Sequence, residues 1–563
     1  MTAVPTWFGP TDRPLFGWMH VPEDNRAAGA VVLCPPIARE LAATQACYRL
    51  VAEKLSAAGM LAIRFDYDGT GDSTGVDLDP HRVESWLAGI GHAIDLARSC
   101  GAESVSLIGM RVGALLAAVV AARLGSIDAV VLWDPCESGR AFVRQEAALL
   151  RLLSNDHQGT GDGTELPGFV FSAETVSRLG SMAVPADGAR PSRVLLLTRP
   201  DRQPATKLTD TLGTEPDLAE AGGQELLLEV DPGSRETPHD VVTHIVSWLH
   251  TGNPASPRAV SFSAQDSARV PFEGGRLTER AIRLGPAGLF AMVTEPDAPT
   301  GSPTILMLNA GNDWHVGPNR LWVDLSRRWA AAGFRCVRFD ESGLGDSPAR
   351  PEKSANVVRS PDAFDDVRDA RVAVEPDDPT NVILVGLCSG GYQALEDALV
   401  RPTRAIYAIN PVLHFAPPEL DTGAMDPRRR ICWPVSGLAS TYRSWLAEPV
   451  RRRLRTVLWR SIHLLNRDRG RDASTWLDQL RTDRVEVLVV CSEDEARPFG
   501  TARTATLGPA ARPDSIRLDV IEGLDGALMP AWQRAEVSRR LTDHLLGHFA
   551  LAEAQPIAQV ASA

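Results

Sequence analysis

The chain has 563 residues, 44% of them hydrophobic and 23% charged, with a formal net charge of -13 and a pI near 5.5. That balance belongs to folded globular chains and excludes disordered, collagenous and coiled-coil proteins; at about 150 residues per domain it allows two to four cores. An acidic chain lacks the basic face that neutralises phosphates, so nucleic acid is not an expected partner.

The longest uncharged apolar stretch, Val112 to Ala122, stops at Arg123, well short of the roughly 20 residues that a membrane span needs. The N-terminal residues offer neither a basic n-region nor an apolar h-region ahead of Asp12 and Arg13, and a cytoplasmic protein without a membrane span is expected. The eight cysteines at 34, 47, 100, 136, 336, 388, 432 and 491 form no Cys-x-x-Cys pair, which argues against a disulfide framework or a structural zinc. Gly69-Thr-Gly71 and Gly343-Leu-Gly345 lack the third glycine of a dinucleotide loop. They read as fold loops, and no cofactor is expected.

In chain order, β-branched apolar runs near 30–34, 61–65, 104–109, 128–133, 193–198 and 225–230 alternate with helical stretches. The pattern repeats near 304–308, 335–339, 381–386, 405–409, 486–490 and 515–520, preceded by N-terminal strands near 276–294. Such alternation predicts βαβ units and a mostly parallel sheet with helices on both faces. After the fourth strand of each series comes a long insertion, roughly 136–190 and 411–480, expected to act as a lid. The expected organisation is a first domain over 1–252, a Pro, Ser and Gly-rich linker over 253–265, a second domain over 266–550 and a flexible tail over 551–563.

The two series are copies of one plan. Arg-Phe-Asp-x-x-Gly-x-Gly-Asp-Ser occurs at 64–73 and again at 338–347, an offset of 274, and Tyr48-Arg49-Leu50 is echoed by Asn319-Arg320-Leu321. Each copy also runs a strand into a turn with glycines two residues either side of its centre, Gly109-Met-Arg111-Val-Gly113 and Gly386-Leu-Cys388-Ser-Gly390. A Gly-x-Nu-x-Gly turn between strand and helix exposes its central side chain at the sheet's C-terminal edge. That position falls on Cys388 in the second copy and on Arg111 in the first.

In these paired motifs the chain resembles the α/β-hydrolase superfamily, and within it bacterial tandem α/β-hydrolase proteins that accompany natural-product or exopolysaccharide pathways. The resemblance implies an α/β fold of two tandem α/β-hydrolase domains, each with a helical lid. It implies acyl-transfer chemistry, with acyl-thioester or ester substrates. Cys388, beside a helix N-terminus, is the candidate nucleophile, and Ser389 becomes one if the turn is shifted by a residue. The oxyanion hole would come from Ser389 with Gly311 or Asn312. Asp494 follows the strand ending near Val490 and stands where the acid is expected. The histidine position is empty: relatives often read Gly-Leu-Asp-His after the last strand, and here Gly526 follows Asp525. His315, on the oxyanion-side loop, is the candidate substitute base. His544 and His548, in the terminal helix, are expected to be remote from the site, and His239 to be a surface helix residue.

Arg111 cannot attack a carbonyl, so the first copy is expected to be catalytically degenerate, with Arg111 either binding an anion or forming a structural salt bridge. A cysteine without a strong water-activating base suits thiol exchange better than hydrolysis, as in the cysteine-dependent acyl shuttles of α/β-hydrolase fold in nonribosomal peptide pathways. From Arg428 to Arg471 the second lid carries twelve arginines against Glu448 and Asp468, either a solvated face or a dock for an acidic carrier protein. Three readings stay open: an acyltransferase or thioesterase working through Cys388, a catalytically silent tandem scaffold, and an esterase using Ser389.

Overall fold

The computed structural model describes residues 2–153, 163–203, 206–230, 235–252, 256–273, 275–297, 302–357, 360, 362–411, 473–493, 495–496, 499 and 515–549. The expected linker, tail and Arg-rich lid fall partly or wholly outside these residues, as does Asp494. Among the described residues no helix is long and apolar enough to cross a membrane.

Two large sheets organise the chain. The first has eight strands in the spatial order Thr2–Phe8, Leu15–Val21, Leu61–Phe65, Ala30–Cys34, Val105–Met110, Ala129–Trp133, Arg193–Thr198 and Asp217–Glu220. The second has nine, ordered Ser267–Phe272, Gly275–Leu284, Leu289–Glu295, Cys336–Phe339, Thr304–Met307, Val382–Leu387, Ala405–Ile409, Glu486–Cys491 and Ile516–Val520. Antiparallel strands open each sheet and parallel strands complete it. Both sheets have the same strand order, the second extended by one edge strand.

Local sequence explains the elements. Central strands such as Ala-Val-Val-Leu-Cys at 30–34 are buried at every position, as a parallel strand covered by helices on both faces must be. Along Leu277–Ile282 of strand Gly275–Leu284, buried side chains alternate with partly buried ones, the period of two that a strand imposes. Each sheet therefore has an apolar cluster on either face.

One element differs from expectation. The run 225–230 is not a strand: Glu225–Leu228 forms a helical turn that buries Leu227 and Leu228, and the edge strand is the more polar Asp217–Glu220, parallel to Arg193–Thr198. A short apolar run suits either state. Gln224 helps hold the turn here, since its side-chain amide donates to Asp134 at 2.7 Å.

The two units meet through the duplicated motif, reciprocally, as identical surfaces do across a two-fold axis. Arg64 donates to Asp346 at 2.6 Å and Arg338 to Asp72 at 2.5 Å. Arg49 donates to the carbonyls of Gly345 and Ser347, and Arg320 to those of Gly71 and Ser73. Within each loop the first aspartate accepts the backbone N-H of the second, Asp66 from Asp72 and Asp340 from Asp346. Gly71 and Gly345, both at φ 48°, let those carboxylates approach: a Cβ would lie 2.0 and 2.2 Å from the nearest carboxylate oxygen. Phe16 stacks on its counterpart Phe290 at 6.3 Å, and Trp18 meets Phe290 edge-on at 4.8 Å.

Candidate active site

The elbow of the second unit is built by close approach. Strand Val382–Leu387 runs directly into helix Ser389–Val400, with Cys388 between them at φ 56° and ψ -111°. A side chain rarely adopts that region, and strain of this kind persists only where the surroundings impose it. A Cβ on Gly386 would lie 2.1 Å from the backbone of Gly390, and one on Gly390 would lie 2.5 Å from the carbonyl of Asn309. Only glycines permit the bend, and the backbone N-H of Cys388 locks it by donating to Ile409 at 2.9 Å.

Cys388 is half-buried, whereas Cys34, Cys47, Cys100, Cys136, Cys336 and Cys491 are all buried. Burial pushes the Cys47, Cys136 and Cys491 thiols up to about 12, which leaves them inert at neutral pH.

Ser389 does not stand at the apex. It is the first residue of the helix, it is buried, and its hydroxyl accepts the backbone N-H of Gly311 at 2.7 Å. This contact also spends the Gly311 N-H that was expected to serve the oxyanion hole. The backbone N-H of Ser389, in the first turn of the helix, belongs to the group of donors that a helix leaves without intrahelical partners. Asn312 sits half-buried in the same loop as Gly311.

His315 is not disposed as a base for Cys388. Its side chain is fully buried at the seam between the units, with Nδ1 2.8 Å from Asp340 and Nε2 2.7 Å from Asp72, while its backbone N-H donates to Asp340 at 2.6 Å. Both ring nitrogens are thus committed to carboxylates. Burial alone would pull its pKa down; the Asp340 and Asp72 charges outweigh that and push it up to about 10. An imidazolium with two carboxylate partners is a clasp and not a proton acceptor. The sequence placed His315 in the correct loop but could not show that the loop faces the other unit.

The turn after the last strand is close to the elbow. Asn410, following strand Ala405–Ile409, donates its side-chain amide to the carbonyl of Asp525 at 3.1 Å and accepts the backbone N-H of Ser492 at 2.8 Å. Gly526 is exposed, with nothing within 4 Å of where a Cβ would be.

A group missed from sequence is Glu341, at the end of strand Cys336–Phe339, where the first copy has Tyr67. It is buried, its backbone N-H donates to Asn309 at 2.8 Å, and burial pushes its carboxyl up to about 8. Glu341 is hydrogen-bonded to Gln393 of the elbow helix. The only signal in the sequence was its position, an acid one residue after the shared Asp340.

The first elbow repeats the bend and fills it. Arg111 sits at φ 56° and ψ -121° between strand Val105–Met110 and helix Val112–Leu124. Its guanidinium is buried and donates to Glu40 at 3.0 Å, to Asp134 at 3.2 Å and to Gln145 at 3.2 Å. Arg111 is therefore the centre of a structural salt-bridge cluster, not an open anion clamp. His239 is exposed at the start of helix His239–Thr251.

Residues 305–563 match the profile described as the alpha/beta hydrolase family. No curated protein matches this sequence. Among solved structures the chain is similar to the alpha/beta hydrolase GrgF from Penicillium sp. sh18, at 16% identity and TM-score 0.31 over 48% of this chain and 99% of that one. It is also similar to Est1E from Butyrivibrio proteoclasticus, at 14% identity and TM-score 0.32 over 44% and 98%. A putative lipase from Acinetobacter baumannii AYE matches at 12% identity and TM-score 0.32 over 48% and 91%.

Proposed function

We propose that the protein is an acyl-transfer enzyme of biosynthetic metabolism, an acyltransferase or thioesterase working through a thioester on Cys388. The observation that carries this reading is the half-exposed Cys388 thiol at a strained strand-to-helix elbow, in a chain whose other described cysteines are buried. The Cys388 thiolate attacks the carbonyl carbon of a donor thioester, a new C-S bond forms, and the donor thiolate leaves. An acceptor thiolate then takes the acyl group by the reverse step. Neither half needs an activated water, which suits a site whose expected histidine is Gly526 and whose His315 is engaged elsewhere. The Ser389 N-H and Asn312 supply the oxyanion side, since the Gly311 N-H is held by the Ser389 hydroxyl. Asp494 is the candidate acid and the Arg-rich lid the candidate dock for an acidic carrier protein, both on sequence grounds.

A second reading, a silent binding scaffold, is favoured by the filled elbow at Arg111 and by the commitment of His315 to the seam. Intact-mass spectrometry after incubation with acyl-thioesters separates the two. An acyl adduct lost in Cys388→Ala and retained in Ser389→Ala supports the enzyme. An adduct lost only in Ser389→Ala points to a serine esterase, and no adduct with any donor supports the scaffold.

A further inference from the structure

Glu341 is buried beside the elbow yet takes no part in the steps assigned to Cys388. Strand Thr304–Met307 lies between Cys336–Phe339 and Val382–Leu387, and Met307 is level with Arg338 on one side and Val385 on the other. Glu341 and Cys388, each three residues further on, therefore stand at the same sheet edge two strand spacings apart, about 10 Å between backbones. The loop between them joins both. Asn309 takes the Glu341 backbone N-H on its side chain at 2.8 Å, its own carbonyl abuts Gly390, and the Gly311 N-H donates to the Ser389 hydroxyl at 2.7 Å. Gln393, in the second turn of helix Ser389–Val400, closes the ring by donating to the Glu341 carboxyl.

Two atoms of this ring lack a donor. Oε1 of Glu341 and Oε1 of Gln393 are both buried and have no hydrogen-bond partner among the described residues. With Glu341 ionised both are acceptors only, a costly state for buried oxygens. A carboxyl that keeps its proton is a donor as well. An acid beside a primary amide then forms two antiparallel hydrogen bonds, amide N-H to carboxyl oxygen and carboxyl O-H to amide oxygen. The surroundings favour that state. The charges facing Glu341 are both negative: Asp366 of helix Ala363–Val374, which accepts the Ser342 N-H at 2.7 Å and pairs with Arg350, and Asp340, which pairs with His315. Burial, with Asp366 and Asp340, pushes the Glu341 carboxyl up to about 8, past the opposing pull of the Gln393 bond.

We propose that Glu341 is a positioning residue for Cys388: held as the neutral acid, it pairs with Gln393 through two hydrogen bonds and fastens the elbow helix without setting a negative charge against the thiolate. An ionised glutamate there opposes the helix N-terminus that favours the Cys388 thiolate. At about 10 Å and an effective dielectric constant near 20, one such charge changes the thiolate population roughly tenfold, or by about one pH unit in its midpoint. The role rests on Cys388 being the reactive thiol. Alkylation needs that thiol and no acyl donor, so a negative result here and a failure of acyl transfer are told apart.

The test follows alkylation of Cys388 by iodoacetamide in the full chain between about pH 6 and 10, read by peptide mass spectrometry, with circular dichroism as the folding control. The wild-type profile is expected to carry a second ionisation near 8, at which the rise in reactivity is held back. Glu341→Gln keeps both hydrogen bonds as an amide pair and removes the charge. It should give a single-step profile with a midpoint about one pH unit lower, and its infrared difference spectrum against the wild type at acidic pH should lose one protonated-carboxyl C=O band. Gln393→Leu removes the one bond that favours the ionised form and should move the second ionisation to higher pH. Superimposable profiles for wild type and Glu341→Gln, or no lost carboxyl band, would overturn the proposal. So would a second ionisation that Gln393→Leu leaves in place or moves to lower pH.

Discussion

Replacing His315 by alanine tests how the two units are held together. Its side chain is wholly buried between Asp72 and Asp340, and removing one partner of a buried charge cluster costs about 3–5 kcal/mol. The raised pKa is consistent with that size: from the ordinary 6.5 to about 10, at about 1.4 kcal/mol per pH unit, it corresponds to several kcal/mol. At roughly 2–4 °C per kcal/mol for a unit of this size, His315→Ala should lower the midpoint at pH 6 by roughly 6–20 °C. The pH dependence is the sharper part. Because the folded pKa of His315 lies above its unfolded value, its stabilisation is fully present below pH 6.5 and is lost as pH rises through about 10. Asp72 has the opposite sense. Burial pushes its carboxyl up, but the His315 and Arg338 charges hold it below the usual carboxylate range, so its stabilisation is present above pH 3.8 and fades as pH falls further. The gap between wild type and variant should therefore be widest near pH 4–6.5 and close toward pH 10. Thermal unfolding followed by scanning calorimetry over that range measures it, and a gap that stays constant from pH 6 to 10 would refute the clasp.

Two further outcomes follow from the elbows. Gly526→His places an imidazole where space is open and beside the turn tied to Asn410; hydrolytic release of an acyl group from Cys388 should quicken by about 10²–10⁴, the usual contribution of a positioned base, and single-turnover deacylation by mass spectrometry reads it. Arg111→Met strands Glu40 and Asp134 without their buried partner and should destabilise the first unit by about 3–5 kcal/mol in chemical denaturation, with the acyl adduct at Cys388 unchanged.

The fold was largely legible. Eleven of the twelve core strands expected from βαβ alternation appear within a residue or so of their expected ends, because a central parallel strand must be apolar throughout and its glycine-flanked turn has few alternatives. The exception, 225–230, is a short apolar run that suits either state; it folds as a helical turn while Asp217–Glu220 takes the sheet edge. The insertion after the fourth strand of the first unit holds helices Gly139–Leu153 and Ala173–Ser181 with a small hairpin.

The candidate site was legible only where chemistry follows from covalent neighbours. The linear order by itself determined that Cys388 and Arg111 occupy equivalent turns, since flanking glycines and an adjoining strand and helix are local properties. Which side chains face those turns was decided by tertiary structure. Burial and charge pairing act between segments far apart in the chain, so the docking of one unit on the other drew His315 to Asp72 and turned the repeated Gly-Asp-Ser loops into a reciprocal clasp. The same long-range packing brought Glu341 against Gln393 of the elbow helix, a convergence that no spacing in the sequence announces.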